Sequence, residues 1–289
     1  MSQETALFDA PGPRARRRHA ILTGVGLLLA AFGLYLVYVK LDEKNQFDSA
    51  LWQPFLTADA WTQYLIPGLI GTFKAAAISI VLAGIFGLVF GMGRLSHVVA
   101  IRWVSGAVVE FFRAVPVLIM MIFAFGVYAQ NQVFSSEVNP LAAVVTGLTL
   151  YNGAVVAELV RSGVFSLPEG QAEAGLSIGL TRGQTLRSIE LPQALTAMLP
   201  ALVGQLVVVV KDSALGSIIT YGELLDWSKT LGSAYANTVP AYIVAAALFI
   251  VINYLLTALA RYVERRLSSR GRTTLHATTA APTPDQAQG

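Results

Sequence analysis

The 289-residue chain contains no cysteine. That excludes disulfides, thiol catalysis and thiolate metal sites. Histidine is nearly absent: His19, His97 and His276 are the only three, and all fall in expected tails or loops. No histidine is therefore expected inside a span to build a metal centre there. The phosphate-cradling pattern GxxxxGK[ST] is missing, so the chain carries no P-loop for ATP. Charge is scarce as well. Only 13% of residues are Asp, Glu, Lys or Arg, against roughly 25% in soluble domains. The net charge of +3 is too small to indicate nucleic-acid binding.

What is abundant is apolar sequence, at 55% of the chain, gathered into long runs. A run of about 20 apolar residues crosses a bilayer as a helix. Six spans are expected, at 20–39, 66–92, 103–130, 140–160, 194–218 and 240–260. The fold class is all-α, a polytopic transmembrane helical bundle. Residues 1–19 read as a basic, disordered lead-in. The run Ala20–Val39 is long enough to span and ends without a small-x-small cleavage site, so it reads as an uncleaved helix rather than a signal peptide. Trp52 and Trp61 are expected as interfacial anchors. The end of the chain, 265–289, drifts into Thr/Ala/Pro-rich sequence and is expected to be disordered.

Arginine marks the orientation. Arg14, Arg16, Arg17 and Arg18 precede the first span, Arg94 and Arg102 fall in the second connection, and Arg161, Arg182 and Arg187 in the fourth. Arg261, Arg265, Arg266, Arg270 and Arg272 follow the last span. The opposite connections hold only Lys40, Lys44 and Lys229. The positive-inside rule makes both termini cytoplasmic, together with the loop 161–192.

That loop carries two helix starts. Ser166-Leu167-Pro168-Glu169 and Thr181-Arg182-Gly183-Gln184 both have capping-box spacing. Gly179 between them can end the first helix, and Pro192 is expected to close the loop. The arrangement reads as two short helices joined by a glycine turn. On local residues alone, an ordinary amphipathic loop packing on its own protein would look the same.

The wider spacing is more specific. Glu173-Ala174-Gly175 is followed after three residues by Gly179, after nine more by Ile189, and after one more by Leu191-Pro192. This resembles the EAA loop of bacterial ABC importer permeases, with Gly175 in place of the usual second alanine. Further segments resemble the polar amino acid branch of that family (histidine, glutamate, glutamine, arginine and opine permeases), in its glutamate type. They are Phe112-Arg113-Ala114-Val115-Pro116, Leu148–Ala154 with Glu158 and Arg161, Glu169-Gly170-Gln171, Pro192-Gln193-Ala194-Leu195 and Lys211-Asp212-Ser213-Ala214-Leu215. Lysine is usual at 169, threonine at 213 and serine at 214. The likeness runs from about residue 68 to 264, which makes 66–264 a five-span permease domain and 20–39 an added N-terminal helix.

The resemblance implies a permease subunit of an ATP-driven amino acid importer in the bacterial cytoplasmic (inner) membrane. Its loop would be a coupling helix docking on a separate ATP-binding subunit through Glu173, Ala174, Gly175, Gly179, Ile189, Leu191 and Pro192. ATP and Mg would be bound there, with no cofactor in this chain. The further implied partners are an extracytoplasmic solute-binding protein, a second permease chain, identical or paralogous, and membrane lipid. The substrate implied is glutamate or a related polar amino acid.

Charged and polar residues within spans are candidates for the pathway. Lys211 and Asp212 are adjacent, so they face different directions, and could complement a substrate carboxylate and ammonium. Ser213, Asn152, Thr149, Gln205 and Glu158 could join them. Contacts between helices are the alternative. Glu110–Arg113 and Glu158–Arg161 are spaced i, i+3, which favours structural ion pairs. Two other functions remain open at this point. A self-sufficient secondary transporter or channel would leave the loop pattern without a purpose. A membrane-embedded enzyme would need a catalytic cluster for which few residues are available.

Overall fold

The computed structural model describes residues 12–168 and 170–272. Among them there are helices and no strands. Five helices are long and apolar enough to cross a membrane, and a sixth span results if one bent pair is counted as one.

Helix α1 is Pro13–Glu43. It takes in residues 13–19 of the basic lead-in expected to be disordered, including its four arginines. Pro13 sits at the first turn, where its missing N–H costs nothing, and the arginines that follow are good helix formers. Residues 1–11 lie outside the described part. None of the residues in α1 is buried. A short α2 (Ser49–Trp52), a 3-10 turn and α3 (Ala58–Ala60) follow. Both tryptophans expected as anchors spend their indole N–H on backbone carbonyls, Trp52 on Gln46 at 3.0 Å and Trp61 on Phe55 at 2.8 Å.

The core is built on α4 (Ile66–Arg94) and α7 (Asn139–Phe165). Lipid is as apolar as leucine, so helices in a bilayer associate through close packing at small residues. Gly91 of α4 fits this rule: a Cβ there would stand 3.0 Å from Val160 Cβ and 3.1 Å from the Ala157 carbonyl oxygen of α7. Ala75, Met121, Val144, Leu148 and Val209 form the buried centre.

The span expected at 103–130 is broken. Helices α5 (Val99–Ala114) and α6 (Val117–Gln130) meet at a 99° bend. Pro116 excludes its neighbour from helical geometry, and Val115 is extended (φ −84°, ψ 127°). The span expected at 194–218 is also divided. Helix α10 (Leu191–Ala197) ends at Met198, and α11 (Leu199–Asp212) begins with Pro200 in its first turn. A 3-10 stretch, Ser213–Ile219, completes that span.

Beyond it lies α12 (Leu224–Ala234), a short helix where only a connection was expected. The last helix, α13, is Thr238–Arg272. It overruns the expected start of the disordered tail at 265 by eight residues. The backbone continues because Arg, Glu and Leu after Ala260 favour helix. The rest of the expected tail, 273–289, lies outside the described residues.

Candidate functional site

The loop after α7 does not begin as its sequence suggests. Ser166 ends α7 and donates its hydroxyl to the Gly163 carbonyl at 2.8 Å, so it does not cap the next helix. The next helix starts from Gly170 instead, without a side-chain cap, and Glu169 of the expected capping box lies outside the described residues. Helix α8 is Gln171–Ser177, entered through Gly170 at φ +96°. It ends in a Schellman turn: Gly179 N–H donates to Leu176 O at 3.0 Å and Leu180 N–H to Gly175 O at 3.2 Å. Gly179 has φ +85°, a conformation costly for any residue with a Cβ.

The second capping box forms as expected. Thr181 N–H donates to Gln184 Oε1 at 2.8 Å, and Gln184 N–H to Thr181 Oγ1 at 3.4 Å. It starts α9 (Arg182–Thr185). Pro192 does not close the loop. A π-type turn, Leu186–Glu190, joins α9 to α10 without interruption, and Pro192 lies in the first turn of α10. Proline cannot supply an i→i−4 N–H, and it stands where the π-type turn gives way to α10.

The two short helices pack face to face. Gly175 is buried, and a Cβ on it would meet Thr185 Cγ2 at 2.5 Å and Ile189 Cδ1 at 3.1 Å. The glycine departure from the family pattern thus has a physical cause in this chain. Leu186 and Ala194 fasten the loop to Val164, and Gln193 Nε2 donates to Gln171 Oε1 at 3.0 Å across the loop's ends. Glu173 and Ala174 face outward, with Leu176 at 40% and Ile178 at 74% exposure. These two apolar residues were missed in the sequence. Their signal was apolar character at unconstrained positions of a short exposed helix.

The intramembrane candidates divide into three groups. Asn152 of α7 is wholly buried. Its Nδ2 donates to Leu148 O at 2.8 Å, and its Oδ1 accepts from Gln205 Nε2 of α11 at 2.5 Å. The pair lines a small cavity of about 150 Å³ with Ile80, Ala83, Val156 and Leu202. Thr149, one turn earlier on α7, has a buried hydroxyl without a hydrogen-bond partner among the described residues.

Lys211, Asp212 and Ser213 form the second group, at the end of α11. Lys211 Nζ lies 3.9 Å from Asp212 Oδ1. The two therefore pair, contrary to the expectation that adjacent residues would face apart; the long lysine side chain curls back. Lys211 remains exposed. The Ser213 hydroxyl is spent on Val210 O at 2.7 Å.

Glu158 belongs to a third group. The expected pairs Glu158–Arg161 and Glu110–Arg113 both form, at 2.5 and 3.4 Å. Arg94 joins them, 2.8 Å from Glu158 and 3.1 Å from Glu110. Arg113 also reaches Glu158 at 3.6 Å. Glu158 is thus held by three arginines near the loop end of the bundle.

At the opposite end is a residue not anticipated from the sequence. Glu223 is wholly buried and caps α12, its carboxyl oxygens accepting from Leu225 N at 2.9 Å and Asp226 N at 2.8 Å. Leu224 N–H donates to Thr72 Oγ1 at 3.1 Å, and Tyr221 Oη donates to Gly71 O at 2.7 Å, which ties this end to α4. Burial pushes the Glu223 carboxyl up to about 7, despite the opposing pull of the two backbone N–H groups. Among the described residues no cluster of His, Cys, Asp or Glu could hold a metal ion.

Known proteins are similar to this chain. The chain is 47% identical over 227 residues to a glutamate transport system permease protein of Corynebacterium glutamicum, covering 78% of this chain and 83% of that one. It is 34% identical over 206 residues to a probable glutamine ABC transporter permease protein of Bacillus subtilis, covering 70% and 93%. The solved structure of an amino acid ABC transporter with histidines matches with a TM-score of 0.66 at 28% identity, over 73% of this chain and 98% of that one. Residues 83–269 match the family described as binding-protein-dependent transport system inner membrane component, and the chain belongs to that family, as a permease of its polar amino acid branch.

Proposed function

We propose that this permease carries glutamate or a closely related amino acid, and that the loop from Gln171 to Pro192 is its coupling element. The substrate reading rests on the 47% identity to a glutamate permease. The coupling reading rests chiefly on one observation: α8 presents Glu173, Ala174, Leu176 and Ile178 outward, while Gly175 locks it onto Thr185 and Ile189 behind. An exposed apolar patch with a charged rim on a rigid backing is a surface for a protein partner.

In this reading both termini and the loop are cytoplasmic, because the arginines crowd that side. A separate subunit binds and hydrolyses ATP, and the chain itself is not an enzyme. A binding protein delivers the amino acid to the outer mouth, and a second permease chain, identical or paralogous, completes the pathway. Closure of the ATP-binding subunits moves α8, and α9–α10 pass the movement into α11. The polar pair Asn152–Gln205 stands where α11 meets α7, at a position where a substrate could exchange hydrogen bonds with it. Residues 66–264 serve as the permease core. The 98% coverage of a solved amino acid transporter by only 73% of this chain supports treating α1 as an addition to that core.

The test is uptake of labelled glutamate by the complete complex, in competition with a panel of amino acids. ATP-dependent uptake blocked best by glutamate supports the reading. Glu173→Arg should release the ATP-binding subunit on co-purification. Solute movement by this chain alone in liposomes without ATP would falsify it in favour of a self-sufficient transporter.

A further inference from the structure

A second recess opens beside the Arg94 network. It is a cleft of about 610 Å³ between α5 and the end of α7, lined by Arg94, Arg102, Trp103, Glu110, Arg161 and Phe165 among others. The volume lies within the roughly 300–1,000 Å³ of small-molecule sites. Its charge is unbalanced. Arg94, Arg113 and Arg161 share the two carboxylates of Glu110 and Glu158. Arg102 pairs with no carboxylate among the described residues, and its one hydrogen bond goes to the Ser96 carbonyl at 3.3 Å. The cleft's own lining thus holds three guanidinium groups, Arg94, Arg102 and Arg161, and one carboxylate, Glu110.

The apolar surroundings point to lipid. Trp103 is 73% and Phe165 70% exposed, and Ile101 and Val104 on the same helix are also exposed. The Arg161 guanidinium stacks over the Phe165 ring at 5.4 Å from its centroid. Exposed aromatics beside surplus arginine, at the loop end of a bundle, match the headgroup level of a bilayer. Basic recesses between helices on that side suit anionic lipid headgroups. We infer that the Arg94–Arg102–Arg161 cleft binds the phosphodiester headgroup of an anionic phospholipid, with Arg102 as its uncommitted cation and Trp103 against the glycerol and upper acyl chain. The inference rests on the membrane setting and cytoplasmic orientation of this end. It is independent of which solute is carried, so its failure leaves the transport reading intact.

The probe is phosphatidylglycerol against phosphatidylcholine of the same acyl composition. Native mass spectrometry of the full-length chain from equimolar mixed micelles should show phosphatidylglycerol retained in preference. Arg102→Gln should reduce that retention about fivefold, the equivalent of the ~1 kcal/mol that one basic side chain contributes at an anionic surface. Arg102→Lys should keep most of it. An unchanged melting temperature checks that Arg102→Gln is folded. Three results would overturn the inference. One is equal retention of the two lipids, or retention unaffected by Arg102→Gln. A second is displacement by inorganic phosphate, which would make the cleft a free-anion site. The third is loss of the preference only when Arg14, Arg16, Arg17 and Arg18 are replaced by glutamine.

Discussion

Thr185 stands against Gly175 so closely that a Cβ on the glycine would lie 2.5 Å from its Cγ2 and 2.7 Å from its Oγ1. The two residues are ten apart, on separate helices of one loop, and their contact holds that loop in shape. Gly175→Ala would gain about 1 kcal/mol of helix propensity but add overpacking of about 1–3 kcal/mol. The net effect is a loss of up to about 2 kcal/mol, where overpacking prevails. The Gly175→Ala protein should melt at lower temperature and bind its ATP-binding subunit more weakly. Among the described residues the Thr185 hydroxyl has no hydrogen-bond partner, so Thr185→Ala should restore both properties. Unfolding scans and co-purification of the single and double variants check this.

The bond between Asn152 and Gln205 gives a second prediction. Interhelical hydrogen bonds in membranes average about 0.6 kcal/mol, so Asn152→Ala should disturb stability little. If the pair lies on the pathway, uptake should fall much further than stability does. Gln205→Ala should do the same, and the double variant should be no worse than either single one. Uptake kinetics and melting, measured on all three, separate the outcomes. A fall in both properties in proportion would mark the pair as structural.

The arginine network supplies a third. Arg94 is 13% exposed and Glu158 21%, between the exposed pairs worth about 0–1 kcal/mol and the buried pairs whose breakage costs about 3–5. Arg94→Gln should therefore cost on the order of 2 kcal/mol, because two carboxylates then face each other with less compensation. Adding Glu158→Gln should recover part of the loss. A double-mutant cycle by thermal unfolding measures the coupling.

Glu223 sets a pH dependence. Its pKa is raised from an ordinary value of 4.5 to about 7. The folded state therefore favours the neutral acid. This group's contribution is fully present below pH 4.5, declines between 4.5 and 7, and is constant above that. The span is worth on the order of 3 kcal/mol. Glu223→Gln should flatten the melting temperature across that window, with no net gain at neutral pH, because its amide keeps only one of the two oxygens that accept from Leu225 N and Asp226 N. A wild-type protein that gains stability from this group between pH 4.5 and 7 would show that the two backbone bonds outweigh burial.

Much of this architecture was legible in the residues. Span positions follow from apolar run length, which is a property of one segment at a time. The Thr181–Gln184 box and the Gly179 turn were equally readable, because both are local. The misreadings came where distant contacts decide. Ser166 has the spacing of a helix start, yet the end of α7 claims its hydroxyl. The run 103–130 is apolar enough to read as one span, but one Val115–Pro116 step breaks it by 99°. Lys211 and Asp212 looked divergent on an ideal helix, whereas side-chain length lets them meet. Glu223 gave little signal because its burial depends on Thr72 and Gly71, some 150 residues away. The Arg94 hub was hidden for the same reason, since spacing pairs only Glu110 with Arg113 and Glu158 with Arg161, while Arg94 comes from another helix.

Helix α1 has a mechanical consequence. With no residue buried, it is held to the bundle by covalent connection and little else. The five residues between it and α2, Lys44 to Asp48, extend at most about 18 Å. The helix is thus tethered on a short leash, folded back by Gln46 N–H on Leu41 O and by Phe47 stacked on Tyr38. Its docking place is set by whatever it meets within that radius, and its removal should leave the unfolding of the remaining helices unchanged.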